Sequence, residues 1–312
     1  MMLRATDLTL QVNGKAVFPV WNVGLHLREG ERLAVVGESG GGKTSLAWAL
    51  AGMPLPGQKV VAGSVRFGAN DLLTSTDEER ARLYYRSLSL VPQNAQSVFH
   101  PTRRLWQSAG EVLAKGRKWR LSHEEIIQRV MPLSEALDLP AALWRHYPHQ
   151  LSGGQKQRMN LVLALINDPQ AVVLDEPSNA LDELTRSRVT AFFTGWARSR
   201  TAGMVLFTHD IGMAAAWANR VLVLYRGEVV EELPAEQITN PCHPYTQGLM
   251  NAIIRLGDAP LSRPGIPGYA VPRGGPTEGC GFFDRCPKAR PSCRREVPQL
   301  QPRGDGMLRC LV

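Results

Sequence analysis

Four apolar residues, Leu33 to Val36, run straight into Gly37-Glu38-Ser39-Gly40-Gly41-Gly42-Lys43-Thr44, and a short apolar segment, Ser45 to Leu50, follows. This matches the P-loop pattern in full, in the strand–loop–helix context the pattern requires. The glycines let successive backbone N–H groups turn inward around an anion without side-chain obstruction. The N-terminus of the helix adds partial positive charge. Lys43 is suited to reach the β- and γ-phosphates of a nucleotide, and Thr44 to offer its hydroxyl to Mg²⁺. The competing reading is a glycine-rich turn that merely precedes Lys-Thr, and the buried strand before it and helix after it argue against that. A loop of this kind commits the chain to an α/β fold, a P-loop NTPase core with a mostly parallel sheet.

The rest of the chain fits around that commitment. Leu8 to Val12 alternates apolar and polar residues, Asn13-Gly14 is a hairpin turn, and a second alternating stretch reaches Leu27, which together predict a small antiparallel β subdomain. Pro19 assigns the second stretch to an edge. Gly52, Pro54, Pro56 and Gly57 end the helix after the glycine loop. Leu88 to Val91 reads as a strand, and Thr102 to Leu143 has helical spacing with no convincing strand, which predicts a helical insertion. Ala171 to Leu174 and Met204 to Phe207 are continuous apolar runs, as strands covered on both faces require. Val221 to Tyr225, Arg226-Gly227 and Glu228 to Val230 read as a hairpin. After about Gly257 periodicity gives way to Pro, Gly, Arg and Cys, predicting a loop-rich extension rather than a second large core. The expected division is residues 1–92 as the first part of the nucleotide-binding core, 93–155 as a helical subdomain, 156–239 as the rest of the core, and 240–312 as the extension.

The chain has 312 residues, 44% hydrophobic and 21% charged, with a net charge of +8. A basic balance suits an anionic membrane face or polyphosphate as well as nucleic acid, and charge alone does not choose. Met1 to Val12 reads as a strand, not a signal peptide, and apolar runs such as Leu161 to Ile166 are too short to span a bilayer. The expectation is a soluble protein whose part in any transport needs a separate membrane partner.

Two further segments carry chemistry. Ala171 to Leu174 ends in Asp175-Glu176, so a buried strand delivers two acids to its C-terminal end, where open α/β sheets bind ligands. Asp175 is suited to hold Mg²⁺ and Glu176 to act as base for, or to orient, an attacking water. The alternative is an acidic strand end that caps the next helix. Leu151-Ser152-Gly153-Gly154-Gln155 opens a helix from about Lys156 to Ile166, which makes either a second anion site or an ordinary Ser N-cap.

Taken in order, the glycine loop, Gln93, Leu151 to Gln155, Asp175-Glu176, Ser178-Asn179-Ala180-Leu181-Asp182 and His209 resemble the ABC-transporter ATPase. The resemblance implies two such subunits head to tail, with each ATP between Gly37 to Ser45 of one and Ser152 to Gln155 of the other. It implies Gln93 as the link from Mg²⁺ and the attacking water to the helical insertion, His209 at the γ-phosphate and Asp182 at the dimer seam. It implies two transmembrane permease subunits, a related second ATPase, an extracytoplasmic solute-binding protein as an indirect partner, no nucleic acid, and a peripheral position on the cytoplasmic membrane face.

Tyr147-Pro148-His149-Gln150, Asn240-Pro241-Cys242-His243-Pro244-Tyr245-Thr246, Ile266-Pro267-Gly268 and the cysteine-rich end resemble the oligopeptide, dipeptide and nickel importer branch. That implies an ATPase for uptake of di- or oligopeptides, with a nickel or metal-chelate importer as the alternative and a non-transport ABC ATPase as a further rival. A GTPase or kinase is disfavoured, since no Asn-Lys-x-Asp segment is present and the second cradle would go unused. The sequence departs from the family at Val12, where many relatives carry an aromatic that stacks on adenine, and Phe18 is the candidate substitute. The loop Asn94 to Pro101, which faces the permease in relatives, also diverges.

Four of the five cysteines, Cys280, Cys286, Cys293 and Cys310, fall near the C-terminus. Four thiolates suit a 4Fe–4S cluster or zinc, and reduced, partly buried thiols are the other reading. The resemblance favours the cluster over zinc. Arg285, Lys288, Arg290, Arg294 and Arg295 surround this region, either as a solvated face or as a contact for anionic lipid or the permease.

Overall fold

The computed structural model describes residues 2–84, 86–94, 98–114, 121–178, 181–252 and 265–312. The chain forms two compact units from interleaved segments: residues 1–3, 27–31 and 67–205 in one, and 4–26, 32–66 and 206–312 in the other.

The second of these carries the glycine loop. Strand Arg32–Val36 is almost wholly apolar and buried, and pairs in parallel with strand Arg220–Tyr225, Leu33 opposite Arg220 and Val36 opposite Val223. Arg220–Tyr225 then turns through Arg226 and Gly227, both at positive φ, into the antiparallel strand Glu228–Pro234. The expected hairpin is present and runs further than Val230. A bulge between Val229 and Glu231 shifts its register. The sheet is therefore mixed. Its core gathers Val36, Ile211, Val221, Val223, Tyr225, Leu233, Tyr245 and Phe282. Each such side chain removed from water contributes roughly 1.5–3 kcal/mol.

The extension adds to this sheet. Strands Gln301–Arg303 and Gly306–Leu308 form a hairpin whose second strand pairs antiparallel with Glu231 and Glu232. The loop-rich reading of the tail was thus incomplete: its last segment is a sheet edge, and its Phe282 is 2% exposed. The composition shift near Gly257 lies outside the described residues.

In the same unit, strand Leu3–Val12 lies between Val20–Leu27 and Gln58–Phe67. Val20–Leu27 is the outer strand, and it begins just after Pro19, as the missing N–H of proline demands. Strand Gln58–Phe67 had no counterpart in the sequence reading.

The other unit holds the helical insertion. Strands Leu88–Val91 and Ala171–Asp175 pair in parallel. The expected insertion is helical in its described part, with helices Leu105–Ala114 and His123–Ala136 and a 3₁₀ segment Ala141–Arg145; residues 115–120 lie outside it. Trp144, fully buried, donates from Nε1 to Ser134 Oγ at 3.0 Å, and Ser134 donates to the Val130 carbonyl at 2.8 Å. The same unit also holds helix Glu183–Arg200, capped by Asp182.

The hairpin is tightly seated. A Cβ on Gly306 would stand 2.0 Å from the Glu232 carbonyl oxygen. Gly306→Ala is expected to destabilise the protein by about 1–3 kcal/mol, as overpacking against rigid backbone does. Urea unfolding with an unchanged midpoint would show that the hairpin edge yields freely.

Candidate active site

The glycine loop is fixed from outside as much as by its own sequence. At Gly37 a Cβ would lie 2.2 Å from the Leu224 carbonyl oxygen, and at Gly42 it would lie 1.9 Å from that of Pro19. Gly42 also adopts φ 97°, a left-handed conformation open to glycine. Gly227 N–H donates to the Gly41 carbonyl at 3.0 Å, and Gly41 N–H to that of Glu38 at 3.1 Å. The helix that follows, Lys43–Leu50, has no side-chain cap and no acid in its first turn. Its first N–H groups and its dipole therefore favour an anion at this helix start. Lys43, 5% exposed, donates from Nζ to the carbonyls of Gly37 at 2.9 Å and Glu38 at 3.1 Å. Thr44 is half-buried, Ser39 and Gly40 are exposed, and buried Ser45 accepts from Gln58 Nε2 at 3.0 Å.

His209 follows the buried strand Gly203–Thr208 and is exposed. Its neighbour Asp210 caps helix Ile211–Trp217, accepting from Met213 N–H at 2.9 Å. Phe18 stands edge-on to Trp21 at 4.9 Å, and the Arg273 guanidinium lies 4.8 Å from the Trp21 ring centroid.

In the other unit, strand Ala171–Asp175 is buried throughout. Asp175 is fully buried, and Glu176 is 7% exposed with φ 48°. A left-handed Glu costs roughly 1–2 kcal/mol, and residues so held gather at functional sites. The register pairs Val91 with Leu174, so Gln93 and Glu176 each stand two residues beyond a matched pair, at the same end of neighbouring strands.

Ser152 caps helix Gly153–Leu165: its Oγ accepts from Gln155 N–H at 3.2 Å while Gln155 Oε1 accepts from Ser152 N–H at 2.9 Å. The helix starts three residues earlier than expected, because Gly153 and Gly154 belong to its first turn. The Ser152 and Gly153 surface is exposed. Asp182 is an N-cap as well, accepting from Thr185 N–H at 3.0 Å, and this backbone hydrogen bond holds its carboxyl below the usual range. Asn179, Ala180 and the segment Ala95 to Ser97 lie outside the described residues.

Sequence reasoning missed what the extension does at the loop. Arg285, read as part of a solvated or contact surface, is buried and forks onto both carboxylate oxygens of Glu38, at 2.7 and 2.8 Å. Lys288, Arg290, Arg294 and Arg295 are exposed. The iron–sulfur or zinc reading of Cys280, Cys286, Cys293 and Cys310 is not supported by the geometry. Among the described residues, no group of three or more His, Cys, Asp or Glu side chains is arranged to hold a metal. Burial, followed by the neighbouring thiols of Cys310, Cys293 and Cys286, pushes the Cys280 thiol up to about 11.

The profile described as ABC transporter matches residues 20–179. The chain is also 35% identical over 293 residues to the dipeptide transport ATP-binding protein DppD of Caldanaerobacter subterraneus subsp. tengcongensis, covering 92% of this chain and 89% of that one. The chain belongs to the ABC transporter family. A second profile, the C-terminal region of oligopeptide/dipeptide transporters, matches residues 230–293 of this ABC protein. The dipeptide transport ATP-binding protein DppD of Bacillus subtilis is 32% identical over 296 residues, covering 94% and 88% of the two chains. Among solved structures, the ATP-binding cassette MJ0796, a dimer in a post-hydrolysis state bound to ADP and Pi, superposes with a TM-score of 0.68 at 25% identity. That match covers 75% of this chain and 99% of the cassette. The protein is an ABC ATPase: it binds and hydrolyses ATP.

The extension of this ABC ATPase is anchored through a buried histidine. His243, 1% exposed, accepts at Nδ1 from Tyr245 N–H at 3.0 Å and caps helix Pro244–Asn251. Glu231 Oε1 accepts from the N–H groups of Cys242 and His243, and burial pushes the Glu231 carboxyl up. Burial holds His243 down at about 4, against an ordinary 6.5. The unfolded chain protonates as pH falls through 6.5 and the folded chain does so only near 4. Stability is therefore lost across that window, by about 3 kcal/mol. His243→Asn keeps a capping acceptor and removes the titration, so its unfolding free energy is expected to fall less between pH 6.5 and 4. Parallel curves for the two proteins would contradict this.

Proposed function

We propose that this ABC ATPase energises uptake of di- or oligopeptides through a separate membrane permease. The observation that carries the reading is the match of residues 230–293 to the C-terminal region of oligopeptide/dipeptide transporters, supported by relatives named for dipeptide and oligopeptide transport. Among the described residues no helix is long and apolar enough to cross a membrane, so on this reading the solute path belongs to two permease subunits. The ATPase sits peripherally on their cytoplasmic side, beside a second, related ATPase. An external binding protein delivers the solute.

On this reading the phosphates of ATP lie in the loop 37–44, where uncapped helix N–H groups meet their charge and Lys43 exchanges its loop carbonyls for phosphate oxygens. Thr44, Gln93 and Asp175 offer hydroxyl, amide and carboxylate oxygens, the hard donors that Mg²⁺ takes. Bound there, Mg²⁺ neutralises phosphate charge. Glu176 orients or deprotonates the attacking water, and His209 holds the γ-phosphate. The exposed N-terminus of helix Gly153–Leu165 closes over the ATP of the opposing subunit, with Asp182 at the seam. Differential affinity for ATP between closed and open dimers is what moves the permease.

Lys43→Ala is expected to abolish turnover. Glu176→Gln should retain ATP binding yet stall hydrolysis in a closed dimer, and normal turnover in that variant would remove Glu176 from this role. The solute assignment is tested by uptake in intact cells of labelled dipeptide and labelled nickel, with and without Glu176→Gln. Loss of dipeptide uptake alone supports the proposal, and loss of nickel uptake alone overturns it in favour of a metal importer.

A further inference from the structure

We propose that the C-terminal extension is a latch on the ATP site, with Arg285 as a positioning residue that sets the shape and charge of the phosphate loop by holding Glu38. The inference rests on the loop 37–44 being the ATP site, which Lys43→Ala tests separately.

Glu38 is the node of the loop. Each of its polar groups has a partner, and the extension supplies three of them. Its N–H donates to Tyr245 Oη at 2.9 Å. Its two carboxylate oxygens accept from the two terminal nitrogens of Arg285 at 2.7 and 2.8 Å. Its carbonyl accepts from within the loop, from Gly41 N–H and Lys43 Nζ, both at 3.1 Å. Main chain and side chain of one loop residue are thus gripped by a helix residue and a 3₁₀-segment residue that lie more than two hundred positions away in sequence. The same residue is one of the rests of the lysine that serves the phosphates.

Arg285 is itself held on every side. Nε donates to the Pro267 carbonyl at 2.7 Å, and one terminal nitrogen also donates to the Gly268 carbonyl at 3.1 Å. Its guanidinium lies 5.7 Å from the Tyr225 ring centroid and 6.0 Å from that of Phe282. Tyr225, Tyr245 and Phe282 pack on one another at 4.6, 5.1 and 5.4 Å and close off this corner. Only 8% of the Arg285 side chain is exposed, against 28% of that of Glu38.

A pair built only for stability has no reason to occupy this place, since a buried ion pair contributes little more than an apolar packing would. Its effect here is on an anion site. A carboxylate one residue into a phosphate cradle repels the ligand, and the guanidinium cancels that charge. The bidentate fork also fixes the Glu38 torsions and with them the direction of its carbonyl, which a single-point contact does not.

The test uses the full chain and measures ATP affinity by displacement of a fluorescent ATP analogue, alongside kcat, KM and melting temperature. Arg285→Met is expected to raise the Kd and KM for ATP roughly tenfold with kcat within about twofold, the scale of one lost charge-assisted interaction. Arg285→Lys, which keeps the charge and loses the fork, should recover part of that affinity. In a Glu38→Gln background, Arg285→Met should cost less than about twofold, because its partner's charge is already gone. A lowered melting temperature with unchanged affinity would reduce Arg285 to a structural brace and overturn the proposal. So would an undiminished loss in the Glu38→Gln background. Should Arg285→Met fail to fold, Arg285→Lys decides alone: affinity equal to wild type overturns the latch, and a loss of about threefold supports it.

Discussion

The uncapped N-terminus of helix Lys43–Leu50 is the feature on which the rest of the architecture turns. A helix start without a capping side chain is a standing cost unless something else meets its N–H groups. Here the loop before it is held in one shape. That shape is not a property of the glycines alone. The carbonyls of Leu224 and Pro19 approach Gly37 and Gly42 so closely that no Cβ fits, and Gly227 hydrogen-bonds the loop from the hairpin turn. The cradle is the point where the parallel pair of strands, the hairpin Arg220–Pro234 and the outer strand Val20–Leu27 converge.

The extension belongs to this same construction. Its hairpin continues the sheet beyond Glu228–Pro234, its Phe282 and Tyr245 complete the apolar core, and His243 and Glu231 tie the start of helix Pro244–Asn251 to the sheet. A segment with the composition of a tail is thus part of the unit that holds the nucleotide loop. This gives a physical reason for the two profiles to be read together: the region matching peptide transporters is packed into the site that the ABC profile describes.

What the sequence made legible was periodicity and local chemistry. Strand Ala171–Asp175 announces itself by an apolar run ending in two acids, and the glycine loop by its spacing. Strand Gln58–Phe67 went unseen because only Val65 and Phe67 in it are buried, so burial left little apolar pattern to read. The tail hairpin went unseen because three-residue strands have no measurable period. Arg285 illustrates the deeper limit. A charged residue looks the same in sequence whether water or a carboxylate more than two hundred positions away surrounds it, and only the fold distinguishes the two. The left-handed turn at Glu176 is of the same kind, a conformation imposed by tertiary context on a residue with no local preference for it.

If the loop 37–44 is a phosphate cradle first, its selectivity should follow phosphate more than base. The direct measurement is calorimetric titration of the wild-type chain with ATP, inorganic tripolyphosphate and adenosine. The account predicts that ATP and tripolyphosphate compete for one site and that adenosine binds it much more weakly. Adenosine matching ATP while tripolyphosphate fails to compete would contradict the account at its root.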